Sequence, residues 1–317
     1  MNRPAAAILV GLVLGLLATG ASAQVVRIIV PTPPGGGTDG FFRVVGKEAE
    51  PFLGHGVIIE NVPGAGGTIG VAKMLASKPD GLTLAGVWSS PLTATPHTLK
   101  ATPYAPGDYV AVIELSHTPY VMCVDAKFPA ATGAELVAEL KRNPDKYTFG
   151  NDGIGGTGQL SAARVFKALG VKVRDVPFKG AGETLTSFMG GHVDIYVGSP
   201  APILASVASG KSKCLVATSA ARLAALPNAS GLKDLGIPGE ETMLWRAILA
   251  PRGTPPETIR KLESAFERAM STPATKAYVE RAGEIVQIRK GAELRHMIDA
   301  EYASLGKVAQ GLELQAQ

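Results

Sequence analysis

A short pattern, Gly-Gly-Thr, occurs three times in the chain, at Gly36-Gly37-Thr38, Gly66-Gly67-Thr68 and Gly155-Gly156-Thr157. Each copy follows an apolar, strand-like run and precedes a helical one. Glycines let the backbone turn and approach a ligand closely, the threonine can cap the helix, and the first helical N–H groups point outward at the positive end of the dipole. A single copy reads equally as ordinary strand-to-helix turn chemistry. Three copies, if two come from one domain and the third from another, form cradles for a carboxylate or phosphate facing each other across a cleft. Charge-assisted hydrogen bonds contribute roughly 1.5 to 3 kcal/mol each, so a few of them reach micromolar affinity without a buried arginine.

Other chemistries find less support. Gly153, Gly155 and Gly158 fit G-x-G-x-x-G, with Asp175 downstream, so an exported nicotinamide-dinucleotide-dependent enzyme is the alternative from another class. The chain has no H-E-x-x-H, C-x-x-C or G-x-S-x-G, and its five histidines are dispersed, so no catalytic residue, metal or cofactor is expected. Trp88-Ser89-Ser90 follows a strand at the expected cleft edge, where the hydroxyls can bind a carboxylate or simply form a capped turn beneath a packed indole. Arg43, Lys179 and Arg246 are candidate ion-pair partners for an acid, or members of structural salt bridges.

The elements that must position these residues alternate. A β-branched run at 25–30 and strand-like runs at 57–60 and 82–87 are separated by helical stretches at 39–52 and 69–77, the pattern of an α/β fold with largely parallel sheets. Further strands are expected near 120–124, 147–150, 171–176, 193–197, 213–218 and 245–250. Thr132 and Glu135 have capping-box spacing, and Ile259, Leu262, Phe266 and Met270 share one helical face. A C-terminal helix is expected to pack on the first domain.

With 317 residues, 46% hydrophobic and 18% charged, the chain is long enough for two domains and too apolar for disorder. Its 31 basic residues form no block and aromatics are only 6%, which argues against nucleic-acid binding. Residues 1–23 read as an export signal: Arg3, an apolar run, then Ala21-Ser22-Ala23 before Gln24. In an oxidising compartment Cys123 and Cys214 are free to bridge, but both sit in apolar strand-like runs, and two buried thiols are the simpler expectation.

The run from Val30 through Pro33, Pro34, Gly35, Gly36, Gly37, Thr38 and Asp39 to Arg43 resembles the first signature of the Bug family of periplasmic solute receptors, the TctC-like components of tripartite tricarboxylate transporters. Glu60-Asn61-Val62-Pro63-Gly64-Ala65-Gly66-Gly67 resembles its second. Pro177-Phe178-Lys179-Gly180, Gly190-Gly191-His192-Val193-Asp194 and Ala250-Pro251-Arg252-Gly253-Thr254-Pro255 resemble later ones, in order. The resemblance implies an α/β, two-lobed periplasmic binding protein (a Venus flytrap, type II-like) without catalytic activity. Lobe 1 is expected over 24–125 plus 246–317 and lobe 2 over 126–245, with the ligand cleft between them. It further implies that Pro34 to Asp39 and Gly64, Ala65, Gly66, Gly67 and Thr68 hold one ligand carboxylate, while Gly156, Thr157, Lys179, Gly180 and Ser187 set specificity at the other end. The implied partners are a small carboxylate (a di- or tricarboxylate, or an aromatic acid), the permease subunits of a tripartite transporter and a sensor kinase, for a periplasmic monomer. Ser187 stands where many relatives carry an acidic residue, and Thr95-Pro96-His97 replaces a more usual Asn-Pro-containing stretch.

Overall fold

The structure, a computed structural model, describes residues 24–311. The expected export signal at 1–23 lies outside them. The elements run β1 (Val25–Val30), α1 (Gly37–Leu53), β2 (Gly56–Asn61), α2 (Thr68–Leu75), β3 (Thr83–Trp88), α3 (Ser90–Thr93), β4 (Tyr109–Pro119), β5 (Val121–Asp125), α4 (Gly133–Arg142), β6 (Thr148–Asn151) and α5 (Thr157–Leu169). They continue β7 (Arg174–Pro177), α6 (Ala181–Met189), β8 (Ile195–Gly198), α7 (Leu204–Ala208), β9 (Ser212–Ala217), β10 (Met243–Pro251), α8 (Pro256–Met270), α9 (Pro273–Ala282), β11 (Ile285–Lys290) and α10 (Gly291–Gly311). None of the described helices is long and apolar enough to cross a membrane.

Two sheets result, ordered β11-β4-β10-β3-β1-β2 and β7-β6-β8-β5-β9. In the first, β1 lies between β2 and β3 with all three parallel, while β10 runs antiparallel between β3 and β4. Period-two alternation buries both faces. Val26, Ile28, Val30 and Ile248 pack against Phe41, Phe42 and Val45 of α1 and Leu262 and Phe266 of α8. Ile29, Val87, Trp245 and Leu249 face Val71 and Met74 of α2 and Leu294 and Ile298 of α10. In the second sheet β6 pairs in parallel with β7 and β8, and β5 closes against β8 and β9 antiparallel. The Gly-rich loops therefore leave the carboxyl ends of β1, β2 and β6, where open α/β sheets bind ligands.

The chain leaves the first sheet after Pro119, since Val121 already pairs with β8 and β9, and it is back in that sheet at Met243. The expected lobe bounds at 125 and 246 fall at the end of β5 and inside β10. Strands β4 and β11 and helix α9 are not marked in the apolar pattern. β4 carries buried Glu114, Ser116 and Thr118 in its second half, which interrupts the hydrophobic run a core strand normally shows.

The expectation of two free thiols is corrected: Cys123 and Cys214 are joined by a disulfide. They are directly opposed in the antiparallel β5–β9 pair, and neither neighbouring apolar run reveals that register. The Thr132–Glu135 pattern caps α4, Thr132 Oγ1 accepting from Glu135 N–H at 3.2 Å.

Candidate functional site

The three helices behind the Gly-Gly-Thr copies begin at Gly37, Thr68 and Thr157, so their N-caps are Gly36, Gly67 and Gly156, none with a side-chain cap. The threonine expected to cap does not do so. The copies are also out of register with one another, because Thr38 is the second residue of its helix and Thr68 and Thr157 are the first. Without such caps the first N–H groups find other partners: that of Thr68 turns back to Ala65 O and that of Thr157 meets the Ser90 hydroxyl.

The first loop is pinned by Asp39. Its Oδ2 accepts from Gly35 N–H at 2.9 Å and Arg43 Nε at 3.0 Å, and its Oδ1 from Asn61 Nδ2 at 2.8 Å. Burial works against the charge, but the bonds from Arg43, Gly35 and Asn61 and the Arg43 charge outweigh it and hold the Asp39 carboxyl below its usual value. Both oxygens are thus occupied in shaping the loop. Arg43, considered above as a partner for an acid, is spent on Asp39 and Asn61. Pro34 and Gly35 are exposed, Gly36 and Gly37 half-buried and Thr38 buried.

The second loop has positive φ at four successive residues: Gly64 (131°), Ala65 (45°), Gly66 (61°) and Gly67 (95°). Ala65 pays a steric penalty there that glycine does not. Close approach explains Gly67: a Cβ on it would lie 2.7 Å from Trp88 Cη2. Thr68 Oγ1 donates to Ala65 O at 2.9 Å and closes the loop.

A relay of hydroxyls joins this loop to the third. Thr157 N–H donates to Ser90 Oγ at 3.1 Å, Ser90 Oγ lies 3.1 Å from Thr95 Oγ1, and Thr95 Oγ1 donates to Gly66 O at 3.3 Å. Ser89 Oγ donates to Thr157 Oγ1 at 3.3 Å, and Thr98 Oγ1 to Gly155 O at 3.2 Å. Loops of the two sheets are therefore in direct contact, with Ser89, Ser90 and Thr157 fully or almost fully buried. Thr95 and Thr98 were not among the expected site residues. Thr95 lies in the stretch that departs from the family pattern, and nothing in its local sequence distinguishes it from a turn hydroxyl.

The third loop is pinned by a two-step version of the first. Gly155 N–H donates to Gln159 Oε1 at 2.5 Å, Gln159 Nε2 donates to Asp175 Oδ2, and Asn151 Nδ2 donates to Asp175 Oδ1 at 2.5 Å. Burial raises the Asp175 pKa, opposed by those two amides. The dinucleotide reading is corrected here, since it needs Asp175 for a ribose and open space at Gly155. Both oxygens are taken, and a Cβ on Gly155 would overlap Thr98 Oγ1 at 1.8 Å.

Gly180 faces the first loop, a Cβ there lying 3.9 Å from Pro33 Cδ. Lys179 is exposed, with its N–H bonded to Glu183 at 2.9 Å. Ser187 is half-buried in the second half of α6; no hydrogen bond among the described residues ties its side chain to the three loops. No group of three or more His, Cys, Asp or Glu among the described residues is arranged to hold a metal. Arg246, weighed above as a salt-bridge residue, is fully buried and pairs with Glu284 at 2.5 Å.

The chain and its fold have known relatives. A family model described as "Tripartite tricarboxylate transporter family receptor" matches residues 41–314. The "UPF0065 protein in gbd 5'region" of Cupriavidus necator is 35% identical, covering 82% of this chain and 81% of its own length. Among solved structures, the periplasmic binding protein BugD superposes with a TM-score of 0.85 at 27% identity, over 92% of this chain and 99% of BugD. MatC of Rhodopseudomonas palustris, solved with bound malate, gives 0.82 at 26% identity, over 90% of this chain and 99% of MatC.

Proposed function

The chain belongs to the tripartite tricarboxylate transporter receptor family, and from that premise we propose that it captures a small carboxylate between two lobes and presents it to the permease subunits of such a transporter. Receptors of this family are periplasmic, and the export signal read at 1–23 fits delivery there, with the mature chain starting near Gln24 and acting as a monomer. The lobes are built on the two sheets, and the two passages between them serve as the hinge.

The observation that carries the reading is the meeting of three glycine-rich loops from both sheets, linked through Ser90, Thr95 and Thr98, beside an α1 N-terminus that no side chain caps. Helix N-termini favour anions, and donors held by Asp39, Asp175 and the hydroxyl relay need no reorganisation when the ligand arrives. Pro34 to Asp39 and Gly64 to Thr68, with Trp88, Ser89 and Ser90, present one wall. Gly156, Thr157, Lys179, Gly180 and Ser187 present the other. Closure of the lobes completes the set of donors and removes water, which strengthens each bond. The malate held by MatC, which shares this fold at 26% identity, supports an aliphatic acid over other anions.

Thermal-shift and calorimetric titration of residues 24–317 against aliphatic mono-, di- and tricarboxylates, aromatic acids, amino acids and nicotinamide cofactors tests this. Saturable stabilisation by one carboxylate class is the expected result. No response to any acid, from protein shown by native mass spectrometry to carry no bound ligand, overturns the reading.

A further inference from the structure

Arg246 lies in β10, opposite Trp88 of β3 and Ser116 of β4, and its side chain is fully buried. Only one nitrogen is used: Nη1 donates to both Oε1 and Oε2 of Glu284, each at 2.5 Å. Ser116 Oγ donates to Glu284 Oε2 at 3.1 Å, so both oxygens of that carboxylate have partners. Among the described residues no acceptor meets Nε or Nη2. Those two N–H groups form one edge of the guanidinium, the edge whose spacing matches the two oxygens of a carboxylate.

The free edge adjoins the start of α1. A Cβ on Gly37 would sit 3.2 Å from Arg246 Nη2 and 3.1 Å from Ser199 Oγ, so the first glycine loop, β10 and the loop after β8 meet at this point. Phe41 supports the guanidinium from below, its ring centroid 5.3 Å from Cζ. Tyr278 Oη donates to Gly37 O at 3.3 Å on the same turn. A buried guanidinium with two unpartnered N–H groups beside a helix N-terminus favours a further acceptor at that point. Glu284 offsets the charge of Arg246 and Asp39 lies in the first turn of α1, but the Asp39 oxygens are spent on Gly35, Arg43 and Asn61 and no side chain caps the first N–H groups of the helix.

We propose that Arg246 is the charged anchor of the cleft. Its Nε/Nη2 edge grips one carboxylate of the ligand side-on, with the first N–H groups of α1 and the Ser199 hydroxyl completing the set. Gly37 must then be glycine to let the acid and the guanidinium share the space. The proposal rests on the carboxylate-receptor reading and adds to it that one end of the ligand is recognised as an anion, by charge, and not by neutral donors alone.

The test compares Arg246→Gln/Glu284→Gln with Glu284→Gln, which avoids leaving a buried carboxylate unpaired. The probes are succinate, malate, adipate and citrate, each with its mono-amides, titrated by calorimetry. The pair variant is expected to bind the acid about a hundredfold more weakly than its parent. The preference for the acid over the weaker mono-amide is expected to fall to within a few-fold, an effect that a purely structural arginine would not produce. Acid affinity within threefold of the parent, or an unchanged preference, overturns the proposal and leaves buried water as the acceptor of both N–H groups. If no acid binds the unmutated protein, the receptor reading itself fails and this inference with it. Should the pair variant not fold, arginine-selective 15N spectra of the unmutated protein decide. A saturating acid then shifts an Nε–H signal that persists in Arg43→Lys, and the absence of any shifted signal counts against Arg246.

Discussion

The turns before α1 and before α5 solve one geometric problem with different chemistry. In each, the glycine preceding the N-cap has positive φ, 87° at Gly35 and 67° at Gly155, and donates its N–H to the side chain four residues on. At α1 that side chain is the ionised Asp39, backed by Arg43. At α5 it is the neutral Gln159, whose other end rests on Asp175. The helix ends differ to match. The α5 end has its first N–H taken by Ser90 from the other sheet, whereas the α1 end adjoins the free edge of Arg246. The same local sequence thus yields a docking contact between lobes in one place and a helix end beside an unpartnered guanidinium edge in the other, and tertiary partners decide which.

The largest effect should come from removing the charged pin. Asp39→Ala deletes a buried carboxylate with three partners, and the remaining Arg43 is half-exposed and can turn to water, so the expected loss is about 3 kcal/mol of stability. Ligand affinity should fall at least tenfold with it. Gln159→Ala should cost only about 1 to 2 kcal/mol, because the groups it strands are neutral or keep Asn151. Urea denaturation of the two variants checks the order, and a larger loss for Gln159→Ala would break the comparison.

Gly67→Ala tests the remaining copy, which lacks an equivalent pin and is shaped by packing instead. The added methyl must hold φ near 95° and displace the Trp88 ring, for an expected loss of about 2 kcal/mol. Ser90→Ala should be milder, about 1 kcal/mol, and should act across the lobes. It orphans Thr157 N–H and breaks the relay to Gly66, so ligand affinity is expected to change several-fold while the melting temperature moves by only a few degrees. An unchanged affinity would show that the relay serves packing alone.

Much of this frame was legible before the fold. Short apolar runs located β1, β2, β3 and β10, and Leu262, Phe266 and Met270 do face the core from α8. The Gly-rich loops stood out because glycine is the residue that accepts their φ values. What hid was long-range. Glu114 and Ser116 break the apolar pattern of β4 precisely because they serve partners on β11 and at Glu284, 168 residues away in the case of Ser116. Thr98 and Gly155 are 57 positions apart, and only the packing of the two sheets brings them together. Arg246 looked like any salt-bridge residue, since sequence names its type and not which of its nitrogens remain free.

The smallest effect is also the sharpest on the opening contrast. Asp39 and Asp175 each accept two or more bonds, yet the first is held below its usual pKa and the second is raised by burial. Arg43 is the only charged partner among the groups that act on the two, so it should carry the difference. The signs follow from linkage. Asp39 contributes stability that is present above its unfolded pKa and is lost as pH falls through the folded one; Asp175 contributes stability that is full below its unfolded pKa and is lost as pH rises through its raised value. Carboxyl-carbon NMR should therefore show Asp39 titrating below, and Asp175 above, the ordinary aspartate range. Arg43→Gln is expected to move Asp39 upward toward Asp175 while removing roughly 0.5 kcal/mol of stability, as befits a half-exposed ion pair. If Asp39 stays low in that variant, the N–H of Gly35 and the amide of Asn61 suffice to hold the charge, and the counterion is not what separates the two loops.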